Sequence, residues 1–376
     1  MKRDITSFYN PTDKVLVESE GCYQYDSDGK KYVDFESGVW CANLGHSNRA
    51  INSFIKEQID VLMHQGYKFR NSYSEELSVK LQSLIGFSGG SSVFLSSGSE
   101  AVNLSIMVAQ HLTGRGKILK VNNSYLSAYG FGQIKTDNRD QITIGYNDYS
   151  AINTIDFSDV AAFVIETGGA SVDMVRFPDS EFLEKLSDFA RINGALLIVD
   201  EVTTGIGRHG KWFGFQYYNI VPDVVVTGKA LGNGFPVSAV TFNSDTTQKF
   251  NADGFIYAQS HQNDPLGCAI GLKVIDEIER GDCISVCKRV GEYFSSRLEY
   301  LMNNYSEYVN DVRARGLMLA IEFTDKIDGT KLHNTLFESG FVVGFKGNTL
   351  RFLPPFTISA EDIDNLIDCI ERFIKE

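Results

Sequence analysis

Apolar residues in this chain follow two rhythms. Between Val93 and Val226 they come as short unbroken runs, several of which end at a polar residue. The runs are Val93-Phe94-Leu95, Ile118 to Val121, Val160 to Ile165, Ala195 to Val199 and Val224 to Val226. Runs of that length read as strands buried on both faces of a parallel sheet. Between them lie helical patterns: a broad apolar face from Ala101 to Leu112, and a second over Phe182 to Ile192. Strand and helix in alternation predict right-handed crossovers and one mostly parallel sheet, an α/β fold. Beyond residue 265 the rhythm lengthens. Leu266 to Arg280 and Ile284 to Tyr305 read as long helices, Leu317–Phe323 and Phe341–Phe345 as short strands, and Glu361 to Lys375 as a last helix. Upstream, Tyr25 to Phe35 reads as strand, turn and strand about Asp28-Gly29. Ser37 to His46 has no period and reads as a loop, and Ile51 to Leu62 as an amphipathic helix. The predicted organisation is a large unit over 51–264 and a smaller α+β unit over 265–376, joined by the segment 1–50.

Three of the buried runs deliver a polar residue to one edge of the sheet. These are Glu166, Asp200 and, after Thr227 and Gly228, Lys229. The carboxyl edge is where open α/β sheets bind ligands. An acid and a lysine together there suit pyridoxal phosphate: the amine forms a Schiff base with the aldehyde and the acid holds the ring nitrogen protonated. A structural ion pair at a strand end is the plainer alternative. Ser96-Ser97-Gly98-Ser99-Glu100 opens a helix, and such a turn serves as an N-cap or as an anion site built from free N–H groups. Tyr125 is a candidate aromatic lid, with an ordinary core tyrosine the alternative. Trp40 suits either packing or a pocket wall.

Composition narrows the field. A net charge of −13 argues against a broad nucleic-acid surface. The length of 376 residues leaves ample chain for a sizeable core. The six cysteines form no CxxC pair, so no structural metal is expected, and their scatter fits reduced thiols in a cytoplasm. Met1-Lys2-Arg3-Asp4 carries no apolar signal core, and no apolar run approaches the roughly 20 residues of a membrane span. No GxGxxG or Walker pattern is present.

The block Asp200-Glu201-Val202-Thr203-Thr204-Gly205-Ile206-Gly207-Arg208, followed by Pro222-Asp223 and Gly228-Lys229-Ala230-Leu231-Gly232-Asn233-Gly234-Phe235-Pro236, resembles the class III aminotransferases of the acetylornithine, ornithine and omega-aminotransferase group. Leu44-Gly45-His46, Ser97-Gly98-Ser99-Glu100-Ala101, Arg315-Gly316-Leu317-Met318 and Leu350-Arg351-Phe352-Leu353-Pro354-Pro355 support it. Glu36-Ser37-Gly38-Val39-Trp40-Cys41 resembles the omega-aminotransferase subset. The resemblance implies fold type I, pyridoxal phosphate as cofactor, and a homodimer with shared active sites. It implies a small-molecule amino donor and an oxo-acid acceptor. It gives Lys229 the Schiff base and the proton transfers, and Asp200 the ring nitrogen. Val202 and Tyr125 would flank the ring, with Glu166 and Thr203 close by. Ser97, Gly98 and Ser99 would hold the phosphate, Ser260 would reach the neighbouring subunit's phosphate, Arg351 would bind a substrate carboxylate, and Trp40 would line the substrate pocket.

Four positions depart from that pattern. Leu126-Ser127 replace a common His-Gly after the aromatic Tyr125, Thr203 replaces a glutamine, and Ser260-His261-Gln262-Asn263-Asp264-Pro265 replaces a threonine-led motif. Thr167-Gly168-Gly169-Ala170-Ser171 follows Glu166 without the usual proline and later glutamate, the residue that partners the carboxylate-binding arginine. This weighs against glutamate as amino donor. The expected reaction is a transamination of an amino acid or omega-amine. An isomerase, whether aminomutase or racemase, is the alternative that shares the same deprotonation, and a non-catalytic scaffold is a third.

Overall fold

A computed structural model describes Tyr9 and residues 11–66, 68–133, 139–169 and 174–376. Among these residues three sheets form. The largest has seven strands in the order Ser91–Leu95, Ser238–Phe242, Val224–Thr227, Leu196–Asp200, Val160–Glu166, Lys117–Val121, Gln141–Ile144. Neighbours from Val224–Thr227 to Gln141–Ile144 pair in parallel, and only Ser238–Phe242 runs against its neighbours.

The unbroken apolar runs have a direct structural cause. Successive strand residues point to opposite faces. Phe163, Ile165, Leu197, Val199 and Val225 enter one core, with Phe182, Leu186, Ile270 and Val274. Ala162, Val164, Ile198, Val224 and Val226 enter another, with Val102, Leu104 and Ile106 of the helix Gly98–Thr113. A strand with helices on both faces has no position left for a polar residue until it ends.

The second sheet joins Leu16–Glu20, Tyr23–Asp26 and Lys31–Asp34 to Phe341–Val342, the last pair parallel. The third joins Val309–Arg315, Met318–Phe323, Thr349–Phe352 and Gly344–Lys346, all antiparallel. The single strand expected over Phe341–Phe345 is therefore two short strands in different sheets, with Val343 between them. The helix expected to reach Leu62 spans Arg49–Ile59. The loop expected over Ser37 to His46 holds one tight turn, Ser37–Trp40, whose Gly38 and Val39 torsions are not helical.

Arg208 ties these parts together. It is fully buried. Its guanidinium donates to the Leu317 carbonyl (3.2 Å), the Pro354 carbonyl, the Ser37 hydroxyl (3.3 Å) and the Asn43 amide oxygen. Burial pulls its pKa down to about 10. No helix among the described residues is long and apolar enough to cross a membrane.

Candidate active site

The parallel register sets two acids side by side. Glu166 pairs with Asp200 at the ends of adjacent strands, and Asp200 also pairs with Val226. Both acids are buried. Burial raises the Asp200 pKa to about 7, against the opposing pull of the Val202 N–H, which donates to Oδ1 at 3.0 Å, and of the Lys229 charge. Burial raises Glu166 too, and the neighbouring Asp200 adds to the rise. The next acid, Glu201, is held differently. Its carboxylate accepts from the Thr204 (2.5 Å) and Thr167 (3.1 Å) hydroxyls and from the Gly214 (2.8 Å) and Phe215 (2.7 Å) N–H groups. It clamps the following loop.

Lys229 sits three residues beyond Val226, at the strand end beside Asp200. Its φ of 43° is left-handed, an uncommon conformation for a side-chain-bearing residue. The turn is fixed by Leu231 N–H bonding to the Gly228 carbonyl. Lys229 Nζ donates to Thr203 Oγ1 at 3.4 Å. Burial lowers its pKa and the Asp200 charge opposes that.

The helix Gly98–Thr113 begins at the same edge. Ser97 caps it: its hydroxyl accepts from Glu100 N–H (3.3 Å), and Glu100 accepts back from Ser97 N–H (2.8 Å). The plainer reading of this turn, a helix cap, therefore holds. The cap serves Glu100, while Gly98 and Ser99 stand before it, where N–H groups have no helical carbonyl to reach. Glycine at 98 makes room for Val202: a Cβ there would lie 2.7 Å from Val202 Cγ1. Ala128 N–H donates to Ser99 Oγ at 3.0 Å. Tyr125 is 41% exposed, so it is not a core tyrosine, and its N–H donates to Glu166 at 3.0 Å.

These groups line one cavity of about 590 Å³: Ser97, Gly98, Ser99, Tyr125, Asp200, Val202, Thr203 and Lys229 on one side, Val39, Trp40, Cys41, Phe235, Pro236 and Val237 on the other. Three expected residues are not in its wall. Glu166 is buried beside Asp200 and meets the site through the Tyr125 N–H. Ser260 is exposed elsewhere on the chain. Arg351 is drawn behind the wall onto Glu36, with Nη2 to Oε2 at 2.7 Å and Nε to Oε1 at 3.1 Å. Trp40 joins that pair: its Nε1–H donates to Glu36 Oε2 at 3.1 Å, and its ring lies 4.4 Å from the Arg351 guanidinium and 5.0 Å from Lys229 Nζ. The sequence reading missed Glu36 as the arginine's partner. The segment in which a later glutamate was sought includes Ala170 and Ser171, which lie outside the described residues.

The residues present fit pyridoxal phosphate. A lysine of lowered pKa suits an aldehyde, a buried carboxyl near neutrality suits a ring cation, and a helix start opened by a glycine suits a phosphate. The cavity is within the range of small-molecule sites.

Comparison with known proteins agrees. Residues 7–129 and 127–374 match the family described as "Aminotransferase class-III". The acetylornithine aminotransferase of Aquifex aeolicus is 30% identical, with 96% of each chain covered. The acetylornithine aminotransferase structure from Elizabethkingia anophelis superposes with a TM-score of 0.84 at 28% identity, covering 98% of this chain and 96% of that one. A transaminase structure from the marine bacterium Virgibacillus superposes at 0.90 with 22% identity, covering 99% and 96%, a likeness of fold. The chain belongs to the class III aminotransferase family and is a pyridoxal-phosphate-dependent aminotransferase of fold type I. The isomerase alternative finds no counterpart among these relatives.

Proposed function

We propose that Lys229 is the residue that carries the cofactor and moves the proton in this aminotransferase, with Asp200 holding the ring nitrogen. The observation that carries this reading is the meeting of Lys229, Asp200 and the Gly98 helix start in one cavity. Bound pyridoxal phosphate supplies an electrophilic aldehyde and an electron-accepting ring. Every other part falls to the chain. Lys229 Nζ, its pKa lowered by burial, is the nucleophile and then a base for the proton on the amine-bearing carbon. Asp200 keeps a proton on the ring nitrogen through its charge. Gly98 and Ser99 N–H groups bind phosphate with Ser97 as the helix cap, Val202 and Tyr125 flank the ring, and the Thr203 hydroxyl stays within reach of Lys229. Glu166 holds the backbone of Tyr125. Trp40 shapes the substrate side. Arg351, when released by Glu36, receives the carboxylate of the oxo-acid acceptor.

Ser260 acts across a homodimer on this reading. In support, Ser260 is exposed and outside the cavity, while Val39 in the cavity wall is 64% exposed and Ile256, just before Ser260 in the chain, is 88% exposed. Apolar side chains left open there suit burial against a second copy. The cytoplasm as workplace rests on six cysteines, all free. The division into a large unit and a smaller one completed by 1–50 rests on the separate sheets, the N-terminal strands pairing with Phe341–Val342. The helix Pro265–Arg280, which packs on Arg49–Ile59 and Ser72–Ile85, goes with the large unit, which moves the boundary expected at 264 beyond it. Borohydride reduction of the holoenzyme, followed by peptide mass analysis, should fix the cofactor on the Lys229 peptide. Attachment to any other lysine would remove the assignment.

A further inference from the structure

We propose that Glu36 sets the donor preference of this enzyme, by competing with substrate carboxylates for Arg351, and that the favoured donor is an apolar primary amine with no carboxylate beside the amino group. This deepens the proposed reading of the Lys229 site and rests on it.

Three observations lead there. The first is the state of the guanidinium. Glu36 occupies it at two points, 2.7 and 3.1 Å, with both side chains 11% exposed. A two-point, charge-assisted bond of this kind is the one a substrate carboxylate would itself make. The second is how firmly Glu36 is held. Its N–H donates to Asp34 Oδ1 at 2.8 Å, and Gly38 N–H donates to Asp34 Oδ2 at 2.6 Å, so Asp34 fixes the turn that presents Glu36. The Trp40 indole then bonds Glu36 from within that turn. The third is the wall left facing the substrate. Among the described residues Arg351 is absent from it, and Val39, Trp40, Cys41, Phe235, Pro236 and Val237 make it largely apolar.

A carboxylate entering this cavity has two courses. It can stay unpaired against apolar side chains, which is costly. Or it can displace Glu36, leaving a buried carboxylate with the Trp40 N–H in place of a guanidinium, which is also costly. An amine lacking the carboxylate meets neither cost. The same competition applies to the oxo-acid acceptor.

The test uses holoenzyme without acceptor and follows the single-turnover loss of the bound cofactor's visible absorption. Three pairs differ only by the carboxylate: 2-phenylethylamine with phenylalanine, isopentylamine with leucine, isobutylamine with valine. The wild type should favour the amine of a pair at least tenfold in second-order rate constant. Glu36→Gln keeps size and an acceptor for Trp40 but loses the charge. It should shift the ratio toward the amino acid at least tenfold and lower the KM for pyruvate. Glu36→Asp, which keeps the charge, should return the ratio toward wild type. A wild type that prefers the amino acids, or a Glu36→Gln that slows both members alike, overturns the proposal. So does silence from every pair while borohydride still fixes the cofactor on Lys229. Attachment elsewhere would instead defeat the underlying reading.

Discussion

The two sides of the cavity are built by different means. On the cofactor side, Glu166, Asp200 and Lys229 arrive at the ends of neighbouring parallel strands, and the pairing of Glu166 with Asp200 follows from register alone. On the substrate side, Glu36 and Arg351 are 315 positions apart, one from a turn after an N-terminal strand and the other from a C-terminal strand. The first side is a property of sheet topology, so its chemistry is gathered by the same burial that makes the sheet. The second depends on a specific long-range contact between charged groups, which a single substitution can re-aim.

Substitutions that separate the two sides sharpen this contrast. Lys229→Ala should cut transamination by at least about 10⁴-fold, since nucleophile and proton carrier are lost together. It should also abolish the visible band that survives dialysis in the wild type, read by absorbance. Asp200→Asn should come next, lowering kcat by about 10²-fold with the cofactor saturating. The same variant tests the buried carboxyl in the cofactor-free protein. Asp200 is raised in the folded chain, from 3.8 to about 7. The folded state therefore keeps a proton that the unfolded state has released, and this contribution to stability is full below the unfolded value and fades as pH rises toward about 7. Asp200→Asn should flatten that part of the decline, at most about 1.4 kcal/mol per pH unit, in melts taken between pH 4 and 8. Gly98→Ala should have the smallest effect, weakening cofactor affinity by about tenfold because its methyl meets Val202. Val202→Ala in the same chain should restore most of it. If the double variant binds no better than the single, the contact is not what fixes glycine there.

The same contrast explains what could be read from the chain. Val224–Thr227 is buried at every position and Leu196–Asp200 at all but its first, so their apolar runs announce them and point to the polar residues that follow. Val309–Arg315, reading VNDVRAR, is only partly buried and carries charges, and its place is set by Met318–Phe323 beside it. The helices Ser72–Ile85 and Gly329–Glu338 were missed, as was the reversed strand Ser238–Phe242, whose five residues mix small and polar types although all are buried. Glu36 left no local trace of its role. A glutamate before Ser37-Gly38 has no period and no motif that names Arg351. Its partner is decided by where Lys31–Asp34 lies against Phe341–Val342, and no neighbouring residue encodes that.

That pairing has a bearing on the order in which the protein is made. The strand before Glu36 leaves the ribosome early and its mate, Phe341–Val342, very late. Arg351 follows later still. The parallel strands that carry Asp200 and Lys229 can collapse while synthesis continues, whereas the feature that screens carboxylates must wait until Arg351 has been made. A nascent chain can thus own its chemistry before it owns its selectivity.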